Sequence, residues 1–187
     1  TRLRRLRQSE SIIKLTSECL VTKNDLIQPV FVKEHLSDKE PIESMPGIFR
    51  FGEVSVLKEI EEIVQLGIKA IAIFPVIDPS KKDSKGTDAT KRDNFISRVL
   101  GSIKSKFPDL LVIADVALDP YTDHGHDGIL ENNKILNDQT LEVLTEQSLA
   151  LAEAGADIIA PSDMMDGRIG VIRKKLDENN FEDKIIL

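Results

Sequence analysis

The stretch DVALDPYTDHGHDG, residues 115–128, puts four aspartates and two histidines into fourteen residues, with two glycines and one proline. Asp119, Asp123 and Asp127 follow Asp115 at intervals of four. Carboxylates at this density suit hard cations, substrate ammonium groups or proton transfer. His124 and His126 make an H-x-H pair in a glycine loop, a spacing open to zinc and equally at home in a polar turn. An EF-hand is excluded, because its D-x-D-x-D-G spacing and bidentate Glu are missing. On spacing alone the stretch is either a functional cluster or an acidic turn. A second group, APSDMMDGR at 160–168, offers Ser162 and Asp163. The competing reading there is an Asp or Ser N-cap on the next helix, which needs no chemistry. The lysines 81, 82, 85 and 91 lie in a long polar loop. They read as a mobile, solvated surface rather than a phosphate cradle, since glycine is too sparse for a P-loop. His35 stands alone and reads as incidental, SMPGIFRF (44–51) as a structural Pro-Gly turn, and Met164 and Met165 as packing residues.

The elements that must position these groups show in the apolar pattern. Five short runs read as strands: DLIQPVFV (25–32), KAIAIF (69–74), LLVIAD (110–115), ADIIAP (156–161) and KIIL (184–187). They are continuous rather than alternating, which predicts burial on both faces. Helical periodicity separates them at 53–66, 93–107 and 138–154, with Asp138 as the expected N-cap of the third. A weaker helix at 164–179 is interrupted by Gly167 and Gly170. LGIKAIAIFP and AGADIIAPSD repeat one junction, in which a helix ends at a glycine and runs straight into a buried strand. The loops after the strands (33–52, 75–92 and 116–137) are the long ones. Short turns before strands and long loops after them are what a (β/α) barrel shows, with its chemistry at the C-terminal strand ends. A closed barrel needs eight strands and about 250 residues. The expectation is therefore an α/β fold in which residues 1–24 form an N-terminal arm and lead-in. Residues 25–187 are then about the first five strands of a TIM barrel, cut within the fifth. A doubly wound sheet is the alternative, lowered by the lack of GxGxxG after the first strand.

Composition bounds the rest. The chain has 187 residues, a net charge of −7 and a single cysteine, Cys19. A disulfide framework or a thiolate-rich metal site is excluded, and a cytoplasmic location is expected. No apolar run approaches the roughly 18 residues of a membrane span, and no signal peptide opens the chain. The acidic balance argues against nucleic acid as a partner. The basic start TRLRRLR reads as a solvated or partner-docking arm, with no aromatic side chains interleaved for base stacking.

The strings PVFV, SMPGIFR, GIKAIAIFPVIDPSKKD, DVALDPYTDHGHDGIL and AEAGADIIAPSDMMDGRIG, with the RLRRLR start, together resemble the porphobilinogen synthase (5-aminolevulinate dehydratase) family along essentially the whole chain. The resemblance implies a TIM barrel preceded by an arm that wraps a neighbouring subunit, and a homo-oligomer, most often an octamer. It implies the asymmetric condensation of two 5-aminolevulinate molecules to porphobilinogen with loss of two waters, an early step of tetrapyrrole and haem synthesis. Lysine Schiff bases act as electron sinks in that reaction. The family's two catalytic lysines would lie beyond Leu187, and Lys184 should not be given their role. The 187 residues alone are expected to be inactive, and the rival reading is a non-catalytic barrel fragment serving as an assembly module. In zinc-type members three cysteines of the acidic loop hold the metal. Ala117, Asp119 and Asp127 occupy those positions here, so no catalytic zinc is expected and the zinc-independent branch is implied. Asp119 and Asp127 would either hold Mg²⁺ or a monovalent cation, or bind the substrate's ammonium group and move its protons. The second is favoured. Asp115 would point at the reaction centre and Ser162 would contact the bound substrate. Asp163, Asp166 and Arg168 would serve subunit contacts or the helix start. The resemblance implies no organic cofactor.

Overall fold

The computed structural model describes all 187 residues. In chain order it has β1 (Ile27–Lys33), β2 (Lys39–Pro41), β3 (Phe49–Phe51), β4 (Ala70–Val76), β5 (Leu111–Val116), β6 (Leu130–Glu131), β7 (Lys134–Ile135), β8 (Ile158–Pro161) and β9 (Ile185–Ile186). The α-helices are α1 (Glu10–Leu15), α2 (Val56–Gln65), α3 (Phe95–Lys106), α4 (Asn137–Glu153) and α5 (Arg168–Glu178). The main sheet runs β2-β3-β1-β4-β5-β8-β9. Five consecutive strands of it, β1, β4, β5, β8 and β9, pair in parallel, each with the next. Each is reached through one helix, the connection that parallel pairing requires. β2 and β3 form a small antiparallel flap at the β1 edge, and β6 pairs with β7 in a separate ribbon.

The hydrophobic core lies between one face of this sheet and the helices. Val30, Val32, Ile71, Ile73, Val112, Ala114, Val116 and Ile159 face α2 to α5, which return Val56, Ile60, Val99, Ile103, Leu144, Leu151, Ile172 and Leu176. The opposite face carries Phe31, Ala72, Phe74, Asp115, Ile158 and Ala160, which are half-buried, around Ile113, which is buried. Burial on both faces, expected from the continuous apolar runs, therefore holds only in part. An open row of five parallel strands packs its helix side, while the face that a closed barrel turns inward stays accessible. Phe31 and Phe74 stack across β1 and β4 on that face, with ring centroids 5.5 Å apart.

The two repeated junctions form as expected. Gly67 and Gly155 follow α2 and α4 with φ of +86° and +108°, a left-handed backbone that costs a glycine little. Asp138 is not the N-cap of α4. Leu136 occupies that position without a side-chain hydrogen bond, and Asp138 sits inside the first turn, where its charge meets the positive helix end. The lysine loop is tied down rather than mobile. Asp83 N–H donates to the Tyr121 carbonyl at 3.3 Å, and Asp123 N–H donates to the Asp83 carbonyl at 3.1 Å. Lys81 pairs with Glu34 and Lys91 with Asp88, both carboxylates being almost fully buried. His35 adopts a left-handed φ of 61° and lies 3.6 Å from Asp78. No helix is long and apolar enough to cross a membrane.

Candidate active site

Asp115 is the fifth residue of β5, and Ser162 is the first residue after β8. The parallel pairing sets Asp115 opposite Ala160 and Val116 opposite Pro161, so both groups leave the sheet at the C-terminal ends of adjacent strands. Ser162 Oγ donates to Asp115 Oδ1 at 2.6 Å. Ser162 is thus not an N-cap, and neither is Asp163. The N-cap of α5 is Gly167, at φ 83°. Asp163 instead accepts from Met165 N–H at 2.7 Å in the turn before that helix. Its other oxygen lies 3.3 Å from Arg168 Nε but is not aligned for a hydrogen bond, leaving both atoms unsatisfied. Arg168 also donates to the Met165 carbonyl at 2.8 Å, so this pair shapes the turn.

The loop after β5 brings back only part of its acidic periodicity. Asp119 and Asp127 meet side chain to side chain across the loop, whereas Asp123 is exposed and turned toward the lysine loop. The fold within the loop makes this possible. The Leu118 carbonyl accepts from both Tyr121 and Thr122 N–H, at 2.8 and 2.9 Å, and starts a tight turn. Thr122 Oγ1 then donates to the His126 carbonyl at 2.9 Å, bringing the second half of the loop back over the first. His126 Nδ1 accepts from Gly128 N–H at 3.0 Å, and His124 Nδ1 accepts from His126 N–H at 3.1 Å. Both imidazoles therefore spend a ring nitrogen on the loop's own backbone. Gly128 is required by close approach, since a Cβ there would lie 2.7 Å from Ile135 Cγ2 and 2.9 Å from Met165 Cε. Tyr121, fully buried under the loop, has its phenol pushed well above the ordinary range by burial and by the surrounding carboxylates.

The electrostatics follow from crowding carboxylates of one sign. Burial, the hydrogen bond shared with Asp127 and the charges of Asp127 and Asp115 push Asp119 up to about 6. The neighbouring carboxylate makes Asp119 harder to ionise, because like charges in contact oppose each other. Burial raises Asp115 as well, assisted by Asp127 and Asp163 and opposed by the Ser162 hydroxyl. Asp163 is raised, mainly by burial. A group poised near 6 can both give and take a proton close to neutrality.

A trithiolate zinc centre does not fit these residues. Ala117 supplies no ligand, and the one cysteine, Cys19, is exposed in the N-terminal segment. No three His, Cys, Asp or Glu side chains converge as a ligand set anywhere in the chain. A hard cation between Asp119 and Asp127 would have those two carboxylates as its protein ligands, with water filling the remaining oxygen positions.

The family model of delta-aminolevulinic acid dehydratase matches residues 1–187. The chain belongs to that family. The delta-aminolevulinic acid dehydratase of Methanothermus sociabilis is 46% identical over 187 residues, spanning 100% of this chain and 58% of its own length. That of Bradyrhizobium diazoefficiens is 44% identical over 186 residues, spanning 100% and 53%. A solved structure of delta-aminolevulinic acid dehydratase (porphobilinogen synthase) from Toxoplasma gondii, in complex with the reaction product porphobilinogen, superposes with a TM-score of 0.96 at 42% identity. It is matched over 100% of this chain and 53% of its own. The chain thus spans a little over half the length of these relatives, and the fold it shares with them is the TIM barrel expected from the strand pattern.

Spacing offered Asp115, Asp119, Asp123 and Asp127 alike, and the family resemblance singled out Asp115, Asp119, Asp127 and Ser162; the structure brings these last four to one rim. Sequence reasoning missed Thr140 and Gln147, two uncharged residues of α4 that hold the acidic loop from beneath. The available signal was two polar residues on the buried stripe of a helix, where an apolar side chain is the rule.

Proposed function

We propose that this chain supplies the carboxylate half of a porphobilinogen synthase active site. The reaction joins two 5-aminolevulinate molecules by one C–C and one C–N bond, releases two waters and yields the pyrrole porphobilinogen. The observation that carries this reading is the close Asp119–Asp127 carboxylate pair, set beside the Asp115–Ser162 contact at the C-terminal strand ends.

In this reading Asp119 and Asp127 receive the ammonium group of one substrate through charge-assisted hydrogen bonds. Two crowded carboxylates attract one ammonium strongly, and its charge offsets their mutual repulsion. As the amine attacks a carbonyl it must lose a proton, and a carboxylate with a pKa near 6 accepts it. Asp115, held by Ser162, faces the substrate carbon that becomes nucleophilic and handles its proton. Ser162 additionally contacts the bound substrate. The Schiff-base lysines that the reaction needs are assigned, in this reading, to the part of the relatives' length that this chain does not span. A Mg²⁺ or monovalent cation at Asp119 and Asp127 is the alternative use of the same oxygens.

Self-association through the N-terminal segment belongs to the same proposal. Residues 1–24 bury no side chain and expose Leu3, Leu6, Leu15, Leu20 and Val21 beside Arg2, Arg4, Arg5 and Arg7. An apolar and basic strap of this kind fits a second copy of an acidic protein. It also keeps the assembly-module reading in play, which size-exclusion chromatography separates from a catalytic oligomer.

The test is pyrrole formation from 5-aminolevulinate by the protein as expressed from its own gene, with and without a strong chelator. Activity that survives chelation supports direct substrate handling by the carboxylates. Loss on chelation with rescue by Mg²⁺ reassigns them, or a subunit contact, to a cation. No pyrrole in either arm overturns the reading.

A further inference from the structure

Besides Ser148, which bonds back to its own helix at the Leu144 carbonyl, helix α4 completely buries two polar side chains that reach outward, Thr140 and Gln147. They stand seven residues apart, two turns or roughly 10 Å along one face. Both grip the backbone of the carboxylate loop. Gln147 Nε2 donates to the Ala117 carbonyl at 3.0 Å. Thr140 Oγ1 accepts from Ile129 N–H at 2.9 Å and donates to the Leu136 carbonyl at 2.7 Å, one bond outward and one to its own helix. Asp119 follows the first anchor by two residues, and Asp127 precedes the second by two.

The first anchor sits where the sheet can no longer help. The Val116 carbonyl takes the last rung toward β8, from Ser162 N–H at 3.2 Å. The next carbonyl, Ala117, has passed the ladder and would be buried without a partner but for Gln147. Gln147 serves it at a cost, since its own Oε1 is buried without a hydrogen bond. An apolar side chain of similar shape would remove that orphaned oxygen but leave the Ala117 carbonyl unpaired in its place, so the amide gains little in hydrogen-bond satisfaction and its distinctive effect is to tether the loop. The same helix also clasps the neighbouring rim. Asn137 Oδ1 accepts from Asp166 N–H at 2.9 Å, and its Nδ2 donates to the Asp166 carbonyl at 3.3 Å, fixing the loop that begins at Ser162.

We propose that α4 is a positioning element for the carboxylate pair, with Gln147 and Thr140 setting the separation of Asp119 and Asp127. This rests on the reading of that pair as the proton-handling centre. Neither residue touches substrate. They hold the two ends of a loop whose carboxylates must stay within hydrogen-bonding reach, and a displacement of ~1 Å in such an arrangement costs on the order of 100-fold in rate.

The experiment compares Gln147→Leu and Gln147→Glu in the protein as expressed from its own gene. The readouts are kcat and KM against pH and a carbon-detected NMR titration of the Asp119 carboxyl. In Gln147→Leu, kcat should fall about 10- to 100-fold with KM within about twofold of the parent, the pattern of a lost transition-state arrangement. The Asp119 titration should move to lower pH as the pair opens. In Gln147→Glu a buried carboxyl, once protonated, donates to Ala117 as the amide did, so its deficit should shrink as pH falls while that of Gln147→Leu does not. Unchanged kcat and pH profile per folded molecule would reduce Gln147 to a packing residue and overturn the proposal. Should Gln147→Leu not fold, recovery or non-recovery of Gln147→Glu at low pH decides the matter. Should the parent protein make no pyrrole, the proton-handling reading fails. The Asp119 titration then still supports positioning if it moves and overturns it if it does not.

Discussion

Replacing Asp127 by asparagine should stabilise the protein above neutral pH while reducing its activity. Asp119 is pushed from 3.8 to about 6, by burial first and by Asp127 next. A folded-state pKa above the unfolded one means the folded protein binds the extra proton. That stabilisation is complete below about pH 4 and is lost as pH rises through about 6. A gap of about 2 pH units corresponds to ~3 kcal/mol at ~1.4 kcal/mol per unit. Asp119 is exposed on its outer side, so solvent screening reduces this to ~1 kcal/mol. The introduced amide removes the like charge and can donate to Asp119, leaving only the burial contribution in place. Asp127 accounts for only part of that ~1 kcal/mol, so thermal melts should show Asp127→Asn about 1–2 °C above the parent near pH 8, with the difference shrinking toward pH 5. Pyrrole formation should fall about 10- to 100-fold, because an amide at 127 neither attracts the ammonium charge nor accepts its proton and leaves Asp119 to do both alone. A variant no more stable than its parent near pH 8, or equally shifted at both pH values, would refute the account of the pair as two carboxylates in conflict.

Ser162→Ala removes the hydroxyl that opposes the upward push on Asp115. Its carboxyl should titrate higher still, moving the acid limb of the kcat/KM profile to higher pH. Gly52→Ala would place a Cβ 1.8 Å from the Leu36 backbone carbonyl, so urea unfolding should show a loss of ~3 kcal/mol or more, or no folded protein. Lys81→Met leaves Glu34, whose side chain is 3% exposed, with only Arg98 at 3.5 Å, and a destabilisation of ~3 kcal/mol is expected by the same measurement. Zinc added to the metal-free protein should not raise its melting temperature through the acidic loop, and a clear rise lost in Asp119→Asn would contradict the ligand argument.

The parallel barrel pattern was legible because it is repeated chemistry. Continuous Val and Ile runs, a glycine at the end of α2 and of α4, and long polar loops after the strands all point one way, and each strand formed within a few residues of its expected place. The flap of β2 and β3 was not, since three-residue strands carry too few positions for a periodicity. Asp138 misled because an N-cap is a matter of backbone angle, which a residue type favours but does not impose. Spacing suggested four equivalent aspartates. The fold paired Asp119 with Asp127, gave Asp115 to Ser162 and left Asp123 outside.

By itself the sequence determined the inventory: which carboxylates exist, that a single cysteine rules out a trithiolate site, and that strand ends would carry the acidic loop. Only the tertiary structure decided which carboxylates touch. Proximity depends on how the chain between two residues turns, here on Thr122 folding the loop over itself and on α4 holding both its ends. A pKa is set by the field and the burial at one point in space, and that point exists only when β5, β8 and α4 are packed together.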